Sequence, residues 1–138
     1  MEGLPEARVL ALAGLLQAAQ FVLVAVPANL ELGPGRTLGP RDPARLGKPL
    51  MEQVSPVTGR LGRAFANHFE GLTLFTLAVL ALALTERANA FTLAMAWTYL
   101  AARILYVPAY ALGLVPWRSA VWLVGWLATV AMLVVAAL

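Results

Sequence analysis

The 138-residue chain contains no cysteine and a single histidine, His68. The first absence excludes disulfides, thiolate metal sites and a cysteine nucleophile. The second leaves too few ligands for a protein-built zinc site, which takes about three or four N, S or O donors. Charge is also scarce. Only 12% of the residues are Asp, Glu, Lys or Arg, against about 25% in an ordinary soluble domain. No glycine-rich phosphate loop and no G-x-S-x-G elbow occurs, and neither an internal repeat nor a low-complexity segment is seen.

Apolar residues dominate what is present. They make up 61% of the chain, and mean hydropathy is +0.78. They gather into four runs, Ala7–Val26, Leu61–Leu84, Ala88–Leu112 and Trp117–Leu138. Each is close to the ~20 residues a helix needs to span the hydrocarbon of a bilayer. Open sheet edges cannot be satisfied in lipid, so strands are disfavoured. The expectation is an all-α integral membrane four-helix bundle, with residues 1–138 forming one domain. The first run is read as a mature helix and not as a signal peptide. Glu2 and Glu6 precede Arg8, and the apolar stretch is longer than an h-region.

The few charges are informative by position. The first connector carries Arg36, Arg41, Arg45, Lys48 and Arg60 against Glu31, Asp42 and Glu52, and the third ends at Arg118. By the positive-inside rule both connectors face the cytoplasm and both termini lie outside. The expected location is a cell's inner (plasma) membrane, crossed several times, with the Glu31–Arg60 connector in the cytoplasm. The net charge of +3 then reports topology, and no nucleic-acid partner is expected. The first connector is rich in Gly and Pro and reads as a loop with turns.

Polar residues inside the apolar runs are the candidates for function. Arg63, Asn67 and Glu70 recur at i, i+4, i+7 on the second run. Arg103, Tyr106 and Tyr110 recur at i, i+3, i+7 on the third. Each set shares a helix face. Ionisable groups at such depth are costly and face a bundle interior or a cavity. At 1.5 Å per residue Glu70 and Arg103 both lie roughly 14 Å from the cytoplasmic helix ends, which makes them expected partners. By the same measure Asn67 and Tyr106 match at about 9 Å, and Arg63 and Tyr110 at about 3 Å. The set suits a small anionic polar ligand entering from the cytoplasm, since arginine forks receive carboxylates. A structural ion pair with hydrogen-bonded tyrosines is the competing reading. His68 points about 100° away from Asn67 and is expected at a helix interface. Gln17 and Gln20 are expected to make interhelical hydrogen bonds. Trp117 reads as an interface anchor, Trp97, Trp122 and Trp126 as packing or lipid-facing, and Pro108 as a kink between the two tyrosines.

Arg63-x-x-x-Asn67-x-x-Glu70 followed by Arg103-x-x-Tyr106-x-x-x-Tyr110 resembles the MAPEG family, the membrane-associated proteins in eicosanoid and glutathione metabolism, in particular its bacterial-type members. The resemblance implies a homotrimer in contact with membrane lipids. It implies glutathione as cosubstrate, lined by Arg63, Asn67, Glu70, Arg103, Tyr106 and Tyr110. It implies a transferase or peroxidase acting on lipophilic electrophiles or lipid hydroperoxides. Arg118-Ser119 is similar to the Arg-Ser pair of the prostaglandin E synthase branch and is thereby implied to be catalytic, the arginine assisting the thiol and the serine touching its sulfur. Two departures are visible. Phe65 and Gly71 stand where the leukotriene C synthase branch has glutamine and tyrosine, and Tyr110 and Arg118 are one residue closer than in the prostaglandin branch. A non-catalytic protein that keeps this fold for another small anionic or lipid ligand is the alternative.

Overall fold

A computed structural model describes residues 3–138; Glu2 lies outside them. Among the described residues seven helices follow one another: α1 (Pro5–Leu32), α2 (Pro34–Thr37), α3 (Pro43–Leu46), α4 (Leu50–Gln53), α5 (Pro56–Thr85), α6 (Ala90–Ala111) and α7 (Trp117–Ala137). There is no strand among the described residues. α1, α5, α6 and α7 are each long and apolar enough to cross a membrane, so this is a multi-pass membrane protein with an all-helical bundle.

Local chemistry sets the helix ends. Proline occupies the first turn of α1 and α5, where its missing N–H is not needed. Ser55 caps α5 by accepting from the Thr58 amide at 3.3 Å. Asn89 caps α6 through a reciprocal box: its Oδ1 accepts from the Phe91 and Thr92 amides, and its own amide donates to Thr92 Oγ1 at 2.8 Å. Gly33 ends α1 with φ +82°, a backbone region that side chains with a Cβ avoid.

Two elements exceed the expected runs. α1 continues six residues past Val26, through Pro27, and α5 begins five residues before Leu61. Both extensions project from the apolar runs into the connector, where hydrogen bonds hold them. Glu31 near the end of α1 accepts from the Ser55 amide at 3.0 Å and the Thr58 hydroxyl at 2.9 Å at the start of α5. A hydropathy window cannot detect such polar stitching. The rest of the connector is wound into α2, α3 and α4, a single turn each. Helix α6 runs on through Pro108, which sits in its last turn.

α6 and α7 pack as an antiparallel pair, with α5 laid against both and α1 against α5 and α6. The core lies toward the end of the bundle remote from the connector. Phe75 stacks on Tyr99 with ring centroids 4.0 Å apart, and Val9, Leu82, Met132 and Ala96 close around them. Alanines at the contacts let the helices approach closely, a substitute for the hydrophobic drive that lipid removes. The outer surface is correspondingly apolar: Leu15, Phe21, Leu77 and Leu84 are all more than half exposed, as suits a protein surrounded by lipid.

Candidate functional site

The polar residues of α5, α6 and the start of α7 converge on the connector side of the core. Arg103 is the most deeply placed, with only 3% of its surface exposed. Its Nη1 donates to Asn67 Oδ1 at 3.0 Å, and its guanidinium carbon lies 4.5 Å from the centroid of the Tyr106 ring. The Tyr106 and Tyr110 rings are 5.5 Å apart. Tyr110 is in turn approached by two more guanidinium groups. Arg63 Nε donates to its hydroxyl at 3.1 Å, and Arg118 sits 5.0 Å from its ring centroid. Cations over aromatic faces are attracted by the ring quadrupole, most strongly where water is scarce. A continuous ladder results, Asn67–Arg103–Tyr106–Tyr110, ending between Arg63 and Arg118.

Six of the expected residues are thus brought together: Arg63, Asn67, Arg103, Tyr106, Tyr110 and Arg118. Arg63 and Tyr110 meet as their matched depths require. The expected Glu70–Arg103 pair does not form. Around a helix, position 71 lies about 40° to one side of 67 and position 70 about 60° to the other. α6 packs on the 67/71 side: a Cβ placed on Gly71 would lie 3.8 Å from the Arg103 guanidinium carbon. Glu70 is rotated outward and exposed. Ser119 is exposed in the first turn of α7, and its hydroxyl makes no hydrogen bond among the described residues.

Glu70 and Arg103 do share a cavity of about 180 Å³ between α5, α6 and α7, together with Asn67, Tyr99, Trp122 and Trp126. Glycines open it. Gly71 forms one wall, and Gly125 lets α7 approach to where its absent Cβ would be 3.4 Å from Ala102. Arg103 Nε and Nη2 and the Tyr99 hydroxyl are buried there without a protein partner. Buried donors of this kind are almost always satisfied, and acceptor oxygens are the groups that these guanidinium nitrogens require. Tyr99 escaped the sequence reading, although a signal existed: it lies four residues before Arg103 and extends the Arg103–Tyr106–Tyr110 stripe by one turn. Trp122 and Trp126, read as packing or lipid-facing, also wall the cavity.

Polar side chains are also buried between α1 and α5. His68 is fully buried and its Nδ1 hydrogen-bonds Gln17 Oε1, as its direction around α5 suggests. Gln20 is buried too, but neither atom of its amide finds a partner, contrary to the expected interhelical bond.

Searches of curated proteins and of solved structures returned no match. The MAPEG family model, in contrast, matches residues 9–138. That span holds all four membrane-crossing helices apart from the first turn of α1, and every residue of the ladder, and the chain therefore belongs to the MAPEG family.

Proposed function

We propose that this protein is a glutathione-dependent transferase or peroxidase acting on lipophilic electrophiles or lipid hydroperoxides, working as a homotrimer in a cell's plasma membrane. The observation that carries the reading is the convergence of Arg63 and Arg118 on Tyr110. With Arg103 the ladder holds three guanidinium groups, and Glu70 lines the cavity at its Arg103 end. Such an excess of positive charge favours an anionic ligand.

The residues fit glutathione chemically. Its carboxylates match the planar forks of Arg63 and Arg103, including the Arg103 nitrogens that lack a protein partner. Asn67 and Glu70 can receive its amide or amine hydrogens. When bound, it supplies the thiol nucleophile that a chain without cysteine cannot provide. Arg118 is permanently protonated and cannot act as a base. Its role is to hold negative charge near the Tyr110 ring, which lowers the ionisation cost of a nearby thiol. The Tyr110 hydroxyl, fixed by Arg63, orients the ligand, and the apolar helix surfaces give an electrophile a lateral path from the bilayer.

Binding to the purified protein tests the reading. Glutathione is expected to bind saturably and with greater ultraviolet thiolate absorbance than in free solution at the same pH, and Arg63→Gln is expected to weaken it. No saturable binding would contradict the proposal. The second reading, a non-catalytic member binding another ligand, draws support from Phe65 and Gly71, which present no hydrogen-bonding side chain to the thiol peptide. It predicts binding without turnover, or no glutathione binding at all.

A further inference from the structure

A second and larger cavity, of about 690 Å³, shares no lining residue with the ladder or its cavity. Its floor is apolar, formed by Phe21 and Val24 of α1 and by Gly62 and Phe65 of α5, and the connector roofs it. The size falls within the range of clefts that hold small organic ligands. The roof is a folded structure and not a loose loop. Gln53 Nε2 donates to the Leu46 and Lys48 carbonyls at 3.0 and 2.7 Å, Thr37 bonds Asn29, and Glu31 holds the start of α5.

The connector's cations divide into two kinds. Arg36 Nη1 is engaged by Gln53 at 3.0 Å, and Arg45 by the Pro40 and Gly35 carbonyls. Arg41 and Lys48 make no side-chain hydrogen bond among the described residues, and these two are the cations that line the cavity. Neither Asp42 nor Glu52 lines it. The result is an apolar trough that opens on the exposed apolar surface of α1, where Phe21 is 59% exposed, with two uncommitted positive charges on its connector side.

We propose that this cavity binds one anionic phospholipid from the leaflet on the connector side, with an acyl chain along Phe21, Val24 and Phe65 and the phosphate between Arg41 and Lys48. Basic pockets beside membrane helices capture anionic headgroups by this chemistry, and the surrounding leaflet presents the ligand without a diffusional search through water. The two cavities have no lining residue in common, although Phe65 of the trough is also a position that the proposed function sets beside the thiol peptide, and phospholipid retention is read separately from glutathione binding.

Native mass spectrometry of the full chain in mild detergent, supplemented in turn with phosphatidylglycerol, phosphatidylcholine and oleate, tests it. Wild type is expected to retain one phosphatidylglycerol per chain in preference to phosphatidylcholine by about thirtyfold, the scale set by two surface cations. The double variant Arg41→Gln, Lys48→Gln is expected to lose that preference. Both side chains are exposed, and circular dichroism should show unchanged helix content. Val24→Trp, which obstructs the trough, is expected to reduce retention of both phospholipids; Leu46→Trp serves the same purpose if the first variant does not fold. Equal retention of the two phospholipids by wild type, or an unaltered preference in the double variant, would overturn the proposal. Retention of oleate over phosphatidylglycerol would also overturn it, assigning the trough to a single-chain acid.

Discussion

Arg103 on α6 donates to Asn67 on α5 at 3.0 Å, while Glu70, one turn further along α5, stays exposed. The amide oxygen, and not the carboxylate, is what compensates the buried guanidinium within the subunit. A hydrogen bond to a charged group contributes about 1.5–3 kcal/mol. Asn67→Leu is therefore expected to destabilise the protein by about 2 kcal/mol, and Glu70→Gln by clearly less. Thermal unfolding of both variants in detergent checks the order. Equal losses, or a larger loss for Glu70→Gln, would restore the ion pair as the stabilising contact.

The buried Gln20 amide supports an opposite expectation. A buried polar group without partners costs roughly 1–3 kcal/mol by mutational measures. Gln20→Met keeps the volume and removes the polar atoms, so its melting temperature should equal or exceed that of wild type. A fall of several degrees would mean that Gln20 is satisfied by a group the protein admits at this interface.

How far the sequence reaches is clear from these two residues. The four crossings, the shared faces of Arg63/Asn67 and Arg103/Tyr106/Tyr110, and the inward direction of His68 all follow from hydropathy and the 100° helical step. What does not follow is the rotation of one helix against another. That rotation selects the 67/71 ridge over Glu70, and it turns Gln17 but not Gln20 toward a hydrogen-bond partner. Local polar contacts in the connector were equally hidden, because Glu31 reaches Ser55 and Thr58 across more than twenty residues. Tyr99 was legible by spacing alone, but an apolar run containing a tyrosine does not say whether its hydroxyl meets a cavity.

The close approach of α7 to α6 at Gly125 gives a packing prediction. A Cβ there would be in firm contact with Ala102 at 3.4 Å, and a larger side chain would enter the 180 Å³ cavity. Overpacking of this kind costs typically about 1–3 kcal/mol. Gly125→Leu is expected to destabilise by that amount and to weaken glutathione binding. Unchanged stability with unchanged binding would show that α7 moves aside freely.

Topology makes a separate prediction. From the basic excess of the first connector, Arg36 to Arg60, that connector is expected in the cytoplasm. Reporter fusions at Leu138 should report an external terminus, and an insertion within the connector should report the cytoplasm. A cytoplasmic Leu138 fusion would reverse the orientation, and with it the side from which the ladder is entered.

The central claim is that Arg118 stabilises negative charge on a bound thiol that Tyr110 helps to orient. Its most direct measurement is glutathione conjugation of an aryl halide by wild type and Arg118→Ala, with glutathione binding measured on the same preparations. A contact made mainly in the transition state is worth about 10²-fold or more in turnover. Arg118→Ala is therefore expected to lose activity on that scale while glutathione binding stays nearly intact. Full activity in Arg118→Ala would remove the arginine from the chemistry, and wild-type turnover at the uncatalysed rate would contradict the enzymatic account as a whole.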